Sequence, residues 1–95
     1  MSAAEFQASP TWCFSVFAAP EACVMPRVLE FFAKRGLVPA RFHGDVVDNG
    51  LVIDVHVSGV EEGIADRIAA CLRELVYVER VLTATKRTAA QVHFR

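Results

Sequence analysis

The residue types and spacing in this chain that most suggest chemistry are those of His43, Asp45, Asp54 and His56. They flank Asn49-Gly50, the strongest short hairpin signal, because both residues tolerate the positive φ that a type I′ turn demands. With Asn49 and Gly50 as the two loop residues, Val47 faces Val52, Asp45 faces Asp54, His43 faces His56 and Arg41 faces Ser58. These side chains share one face, since residues alternate along a strand. Imidazole nitrogens and carboxylate oxygens are the donor types of a zinc or nickel site. An Asp45–Asp54 pair is unfavourable across strands, and a cation or protonated flanking histidines would relieve it. The competing reading is a solvated face with tolerated histidine–aspartate contacts. It outweighs the metal-responsive one, because spacing on strands is a weak metal signal. A bulge at Gly44 would also shift the register and separate these partners.

Cys23 lies near the start of a helix, the most reactive setting of the three cysteines. A nucleophile also needs a positioned base, and no histidine lies near it in sequence, so small apolar packing is the stronger reading. Cys13 and Cys71 read as core or interface residues. No Gly-rich phosphate loop is present, since Gly59 and Gly63 lack the fingerprint spacing. Aromatic residues do not interleave with Lys and Arg along a strand, which argues against nucleic-acid binding.

Ninety-five residues make one domain with a modest core. The chain is 54% hydrophobic and only 22% charged, more apolar surface than a small monomer readily hides, which argues for a subunit interface. A net charge of −1 leaves no electrostatic footprint for nucleic acid or an anionic membrane. Three cysteines, odd in number and widely spaced, fit a reduced cytoplasmic protein rather than a disulfide framework. No run approaches the roughly 18 apolar residues of a membrane span, and no signal peptide is visible.

The elements that must position these residues follow from periodicity. Residues 1–10 read as a loose leader, residues 11–85 as the folded domain and residues 86–95 as a polar tail. Residues 11–18 form a strand with Trp12, Phe14, Val16 and Ala18 on one face and Cys13, Ser15 and Phe17 on the other, so that it is central or interfacial. Residues 21–35 form a helix whose buried stripe is Met25, Val28, Leu29 and Phe32, with Phe31 at its edge. Pro26 sits in its first turn and Gly36 supplies the left-handed stop. The hairpin spans residues 38–59, its apolar side carrying Phe42, Gly44, Val46, Leu51, Ile53, Val55 and Val57. A second helix starts at Glu61 and Glu62 with the stripe Ile64, Ile68, Cys71, Leu72 and Leu75. A last strand begins near Glu79. The order β-α-β-β-α-β is the ferredoxin-like α+β arrangement, a four-stranded antiparallel sheet with both helices on one face.

These residues resemble the ACT domains and, more narrowly, the small regulatory subunit of acetolactate synthase in its valine-insensitive version. The likeness covers residues 12–83. It rests on Phe14-Ser15-Val16-Phe17, on Arg27-Val28 followed by Phe32-Ala33-Lys34-Arg35-Gly36, and on Leu75-Val76-Tyr77-Val78-Glu79-Arg80-Val81, in this order and spacing. The resemblance implies a homodimer joined through sheet edges, an acetolactate synthase catalytic chain as partner, and no chemistry or cofactor on this chain. It also implies an apolar amino-acid effector at the first strand–helix loop, around Ala19, Pro20, Glu21, Cys23 and Val24, with Val38 contributed after the first helix. Where valine-responsive members carry an Asn and a Gly in that loop and an Asn after the Arg-Gly, this sequence has Pro20, Cys23 and Val38. The polar hooks for an amino acid's carboxylate and ammonium are therefore missing at those positions.

Overall fold

The structure, a computed structural model, describes residues 10–86. The expected leader and tail therefore fall outside the described residues, apart from Pro10 and Lys86. The elements run β1 (Thr11–Ala18), α1 (Val24–Lys34), β2 (Arg41–Val47), β3 (Gly50–Ser58), α2 (Glu62–Arg73) and β4 (Val78–Lys86). The strands form one antiparallel sheet in the order β2-β3-β1-β4. This is the expected ferredoxin-like arrangement, and β1 is central.

Alternation decides which face is covered. Trp12, Phe14, Val16 and Ala18 of β1, Leu51, Ile53, Val55 and Val57 of β3, and Val81 of β4 are buried in one core with both helices. Phe14 and Phe32 pack with ring centroids 5.7 Å apart, and Phe31 meets Phe32 edge-on at 5.4 Å. Burial of this apolar surface is the main force holding the helices to the sheet. Arg73 adds a tie by donating from Nη2 to the Val81 carbonyl of β4 at 2.8 Å.

Helix α1 ends as its sequence requires. Gly36 takes φ 72°, its N–H donates to the Ala33 carbonyl, and the Leu37 N–H donates to the Phe32 carbonyl. This pair of bonds is the Schellman motif, which satisfies carbonyls that the helix end leaves open. The buried stripe differs from the expected one: Val24, Val28, Phe31 and Phe32 are buried, whereas Met25 and Leu29 are 37% and 44% exposed. The helix is rolled so that Phe31 enters the core. In α2 the stripe is Ala65, Ile68, Ala69 and Leu72, and Ile64 lies largely outside it.

The hairpin register also departs from expectation. The loop residues are Asp48 and Asn49, Val47 pairs with Gly50, and the left-handed residue is Asp48 at φ 55°. Neither Asn49 nor Gly50 has positive φ, so this is not the type I′ corner that Asn-Gly favours. Asp is one of the few non-glycine residues that tolerates the left-handed region. Gly50 instead opens β3, next to the end of β1, where Ala18 pairs with Leu51. Each β2 residue is thereby paired two positions earlier on β3, which leaves both faces unchanged. Gly44 makes no bulge: it pairs regularly with Ile53, and its missing side chain makes room for Met25.

One irregularity occurs elsewhere. Between β1 and β4 the register shifts after Phe17, which pairs with Arg80, while Ala18 pairs with Val78. Glu79 is the extra residue of a bulge. At the opposite end of the same strand pair, Thr11 stands beside Lys86.

Candidate functional site

Two regions bear on function: the bare face of the sheet, and the end of the sheet where β1 runs into α1.

The bare face carries all four residues of the candidate metal square, but not as a square. His43 pairs with Asp54, Asp45 with Val52, and His56 with Arg41. The expected Asp45–Asp54 and His43–His56 pairs therefore do not form, because the corner sits one residue earlier than Asn-Gly would place it, which moves every cross-strand partner by two. His43 Nε2 lies 3.0 Å from Asp45 Oδ2 on its own strand, and Asp54 accepts a hydrogen bond from Ser15 Oγ at 3.2 Å. Among the described residues no group of three or more His, Cys, Asp or Glu side chains has a geometry that could hold a metal ion.

Sequence reasoning missed what sits beside this set: Cys13 and His56 are cross-strand partners of β1 and β3. Burial pushes the Cys13 thiol up from its ordinary value, Lys86 opposes that, and Asp54 adds to it. Burial also holds the His56 imidazole below its ordinary value, assisted by Lys86 and Arg41 and opposed by Asp54. Both shifts favour uncharged forms, a neutral thiol and a neutral imidazole, rather than the ion pair of an activated nucleophile.

The β1–α1 loop is built from backbone bonds. The Ala19 N–H donates to the Tyr77 carbonyl at 2.9 Å, the Glu21 N–H to the Ala19 carbonyl at 2.8 Å, and the Val24 N–H to the Glu21 carbonyl at 3.1 Å. The loop is thus tied to the turn before β4, where Tyr77 takes φ 77°, a strained value for an aromatic residue. Cys23 caps α1 without a side-chain hydrogen bond. Pro20 and Glu21 are exposed, Cys23 is half-buried, and Val24 belongs to the core. Val38 is 86% exposed at the far end of α1, about 16 Å along the axis by the rise of an 11-residue helix. One chain does not bring Val38 to the loop.

The sheet itself supplies closer neighbours. A recess of about 410 Å³ opens beside Phe17 and Ala18, lined also by Val47, Gly50, Leu51, Val52, Glu79 and Arg80. Its β4 side is formed by Glu79, the extra residue of the bulge, and by Arg80, which pairs with Phe17. The Arg80 guanidinium lies 4.3 Å above the Phe17 ring. No local sequence signal marks this site, because the bulge depends on how β4 pairs with a strand some sixty residues away.

Among the described residues no helix is long and apolar enough to cross a membrane. No curated protein matches the sequence significantly. Among solved structures, the ACT domain of GTP pyrophosphokinase from Chlorobium tepidum is similar with a TM-score of 0.71 at 8% identity, over 80% of this chain and 86% of that one. The C-terminal domain of MgtC from Mycobacterium tuberculosis is similar with a TM-score of 0.66 at 15% identity, over 84% and 90% of the two chains. A homoserine dehydrogenase from Thiobacillus denitrificans gives 0.64 at 11% identity, with 83% of this chain matching 18% of that one. Identities this low show a shared fold and nothing finer. Residues 5–90 match the family described as an ACT-like domain. With most of its length inside that match, the chain belongs to the family of ACT-like domains.

Proposed function

We propose that this ACT-like domain is a non-catalytic regulatory subunit, homodimeric through its sheet edges, that docks on an acetolactate synthase catalytic chain in branched-chain amino-acid biosynthesis. The observation that carries this reading is the order and spacing of the strings resembling that enzyme's small subunit. In the fold they become β1, α1 with its Gly36 cap, and the turn leading into β4. The open edges support the dimer. Strands β2 and β4 each have one unpaired side among the described residues, and Val46 and Val47 on β2 are 68% and 51% exposed. An apolar edge of this kind is covered in most native proteins. With Pro20, Cys23 and Val38 at the family's ligand positions, feedback by valine in the standard manner is not expected. Co-purification with a synthase catalytic chain, followed by assay of the complex, tests the proposal. Failure to bind, or binding without any change in synthase rate, would sink it.

A second reading, a stand-alone amino-acid sensor, is favoured by the recess at the bulge. Glu79 offers a carboxylate to an α-ammonium, Arg80 a guanidinium to an α-carboxylate, and Phe17, Val47 and Val52 an apolar wall to a side chain. A thermal-shift screen against the twenty amino acids, without any synthase, distinguishes it. A ligand selective for the folded state must raise the midpoint, and Glu79→Gln must abolish the rise.

A further inference from the structure

Ile64 and Cys71 have the spacing of core residues on α2, yet the structure leaves them at the wall of a groove between the two helices. Leu37, just past the α1 cap, and Ile68 add to the apolar lining, with Arg35 and Arg67 as the only charged lining among the described residues, and the volume is about 280 Å³. We propose that this groove binds a small carboxylate carrying a short alkyl chain, at a site separate from the β1–α1 end of the sheet.

The charges carry the argument. On α2 the positions three and four residues from Arg67 are Gly63, Ile64, Ala70 and Cys71, so no acid on its own helix neutralises it. No ion pair to Arg35 or Arg67 occurs among the described residues. Arg35 is also held in place: its guanidinium lies 3.6 Å above the Phe31 ring, and Nη1 donates to the Phe31 carbonyl at 3.0 Å. A guanidinium has five N–H donors, so this anchoring leaves others to meet a ligand. Two uncompensated cations beside four apolar side chains complement a molecule with one anionic end and one oily end. Guanidinium binds carboxylate through paired hydrogen bonds. The volume falls just under the roughly 300 Å³ at which pockets for drug-sized ligands begin, so the alkyl part must be short.

Hexanoate is the probe, titrated into the full chain and followed by amide NMR shifts. The shifts should concentrate at Leu37, Ile64, Ile68 and Cys71. Arg67→Gln should weaken binding about tenfold while leaving the melting midpoint unchanged, as loss of one charge-assisted hydrogen bond implies. Hexanol, with the same chain and no charge, should bind weaker by a similar factor. Four results would overturn the proposal: no groove shifts at millimolar hexanoate, hexanol binding as well as hexanoate, Arg67→Gln binding as well as the parent, or inorganic phosphate matching hexanoate. Groove shifts that depend on protein concentration alone would also overturn it, because a second copy of the chain would then be the occupant.

Discussion

A β-carbon added to Gly44 would stand 2.6 Å from the sulfur of Met25, so the first turn of α1 rests on a strand position with no side chain. The close approach fixes how the helix lies on the edge strand. Gly44→Val should destabilise the domain by about 1–3 kcal/mol, the usual cost of overpacking. Adding Met25→Ala should restore most of the loss, since the clash is with the thioether alone. Urea denaturation of the single and double variants checks this. Gly44→Ala should cost less, because Met25 is unbranched and partly exposed and can swing aside.

The roll of α1 predicts a sharp contrast between two neighbouring residues. Phe32 is fully buried between Phe14 and Phe31, and Phe32→Ala should cost about 3–5 kcal/mol. Leu29, which helical spacing alone would have placed in the core, is 44% exposed. Leu29→Ala should change stability by no more than about 1 kcal/mol. Equal losses in the two denaturation curves would contradict the described packing.

Two left-handed residues predict changes of opposite sign. Gly36→Ala meets no atom within 4 Å, so its cost is conformational alone, about 1–2 kcal/mol. Tyr77 already carries that strain at φ 77° and is 47% exposed. Tyr77→Gly should raise stability by about 0.5–1 kcal/mol, the relief being partly offset by the freer unfolded chain. A shifted denaturant midpoint at unchanged slope is the expected signature.

His56 sets a pH dependence. Its folded-state value is held below the ordinary 6.5, chiefly by burial, so the folded protein binds a proton there less readily than the unfolded chain. The stabilising contribution is complete above the unfolded value and is lost as pH falls from there through the folded value. Thermal midpoints should therefore decline on acidification below about 6.5, and His56→Gln should flatten that part of the profile. An unchanged slope in the variant would assign the effect to other groups.

The two faces of the sheet were legible because alternation survives a register shift of two: Phe42, Val55 and Val57 face the helices whichever pair of residues makes the corner. For the same reason the sequence pattern could not choose between Asn49-Gly50 and Asp48-Asn49, and the candidate metal square depended on that choice. The ends of α1 were legible from Gly36, whose left-handed φ is a local requirement. Its roll was not, since Met25 and Leu29 fit helical spacing as well as Val24 and Phe31 do. The gap at Gly44 and the fit of Phe31 into the core settle it, and both are tertiary. Of the effector positions, Ala19, Pro20, Glu21 and Cys23 fall together in one loop, whereas Val24 goes to the core and Val38 to the far end of the helix. The Glu79–Arg80 pair had no signal short of knowing the β1–β4 pairing.

The Thr11–Lys86 pair at the open end of the sheet has a practical corollary. The two ends of the described segment lie side by side, so residues 11–86 are graftable into a single surface loop of a host polypeptide, with little closure entropy to overcome. By the same geometry, a circular permutant opened at the Asp48-Asn49 corner and sealed between positions 11 and 86 by a short Gly-Ser linker should keep its sheet order.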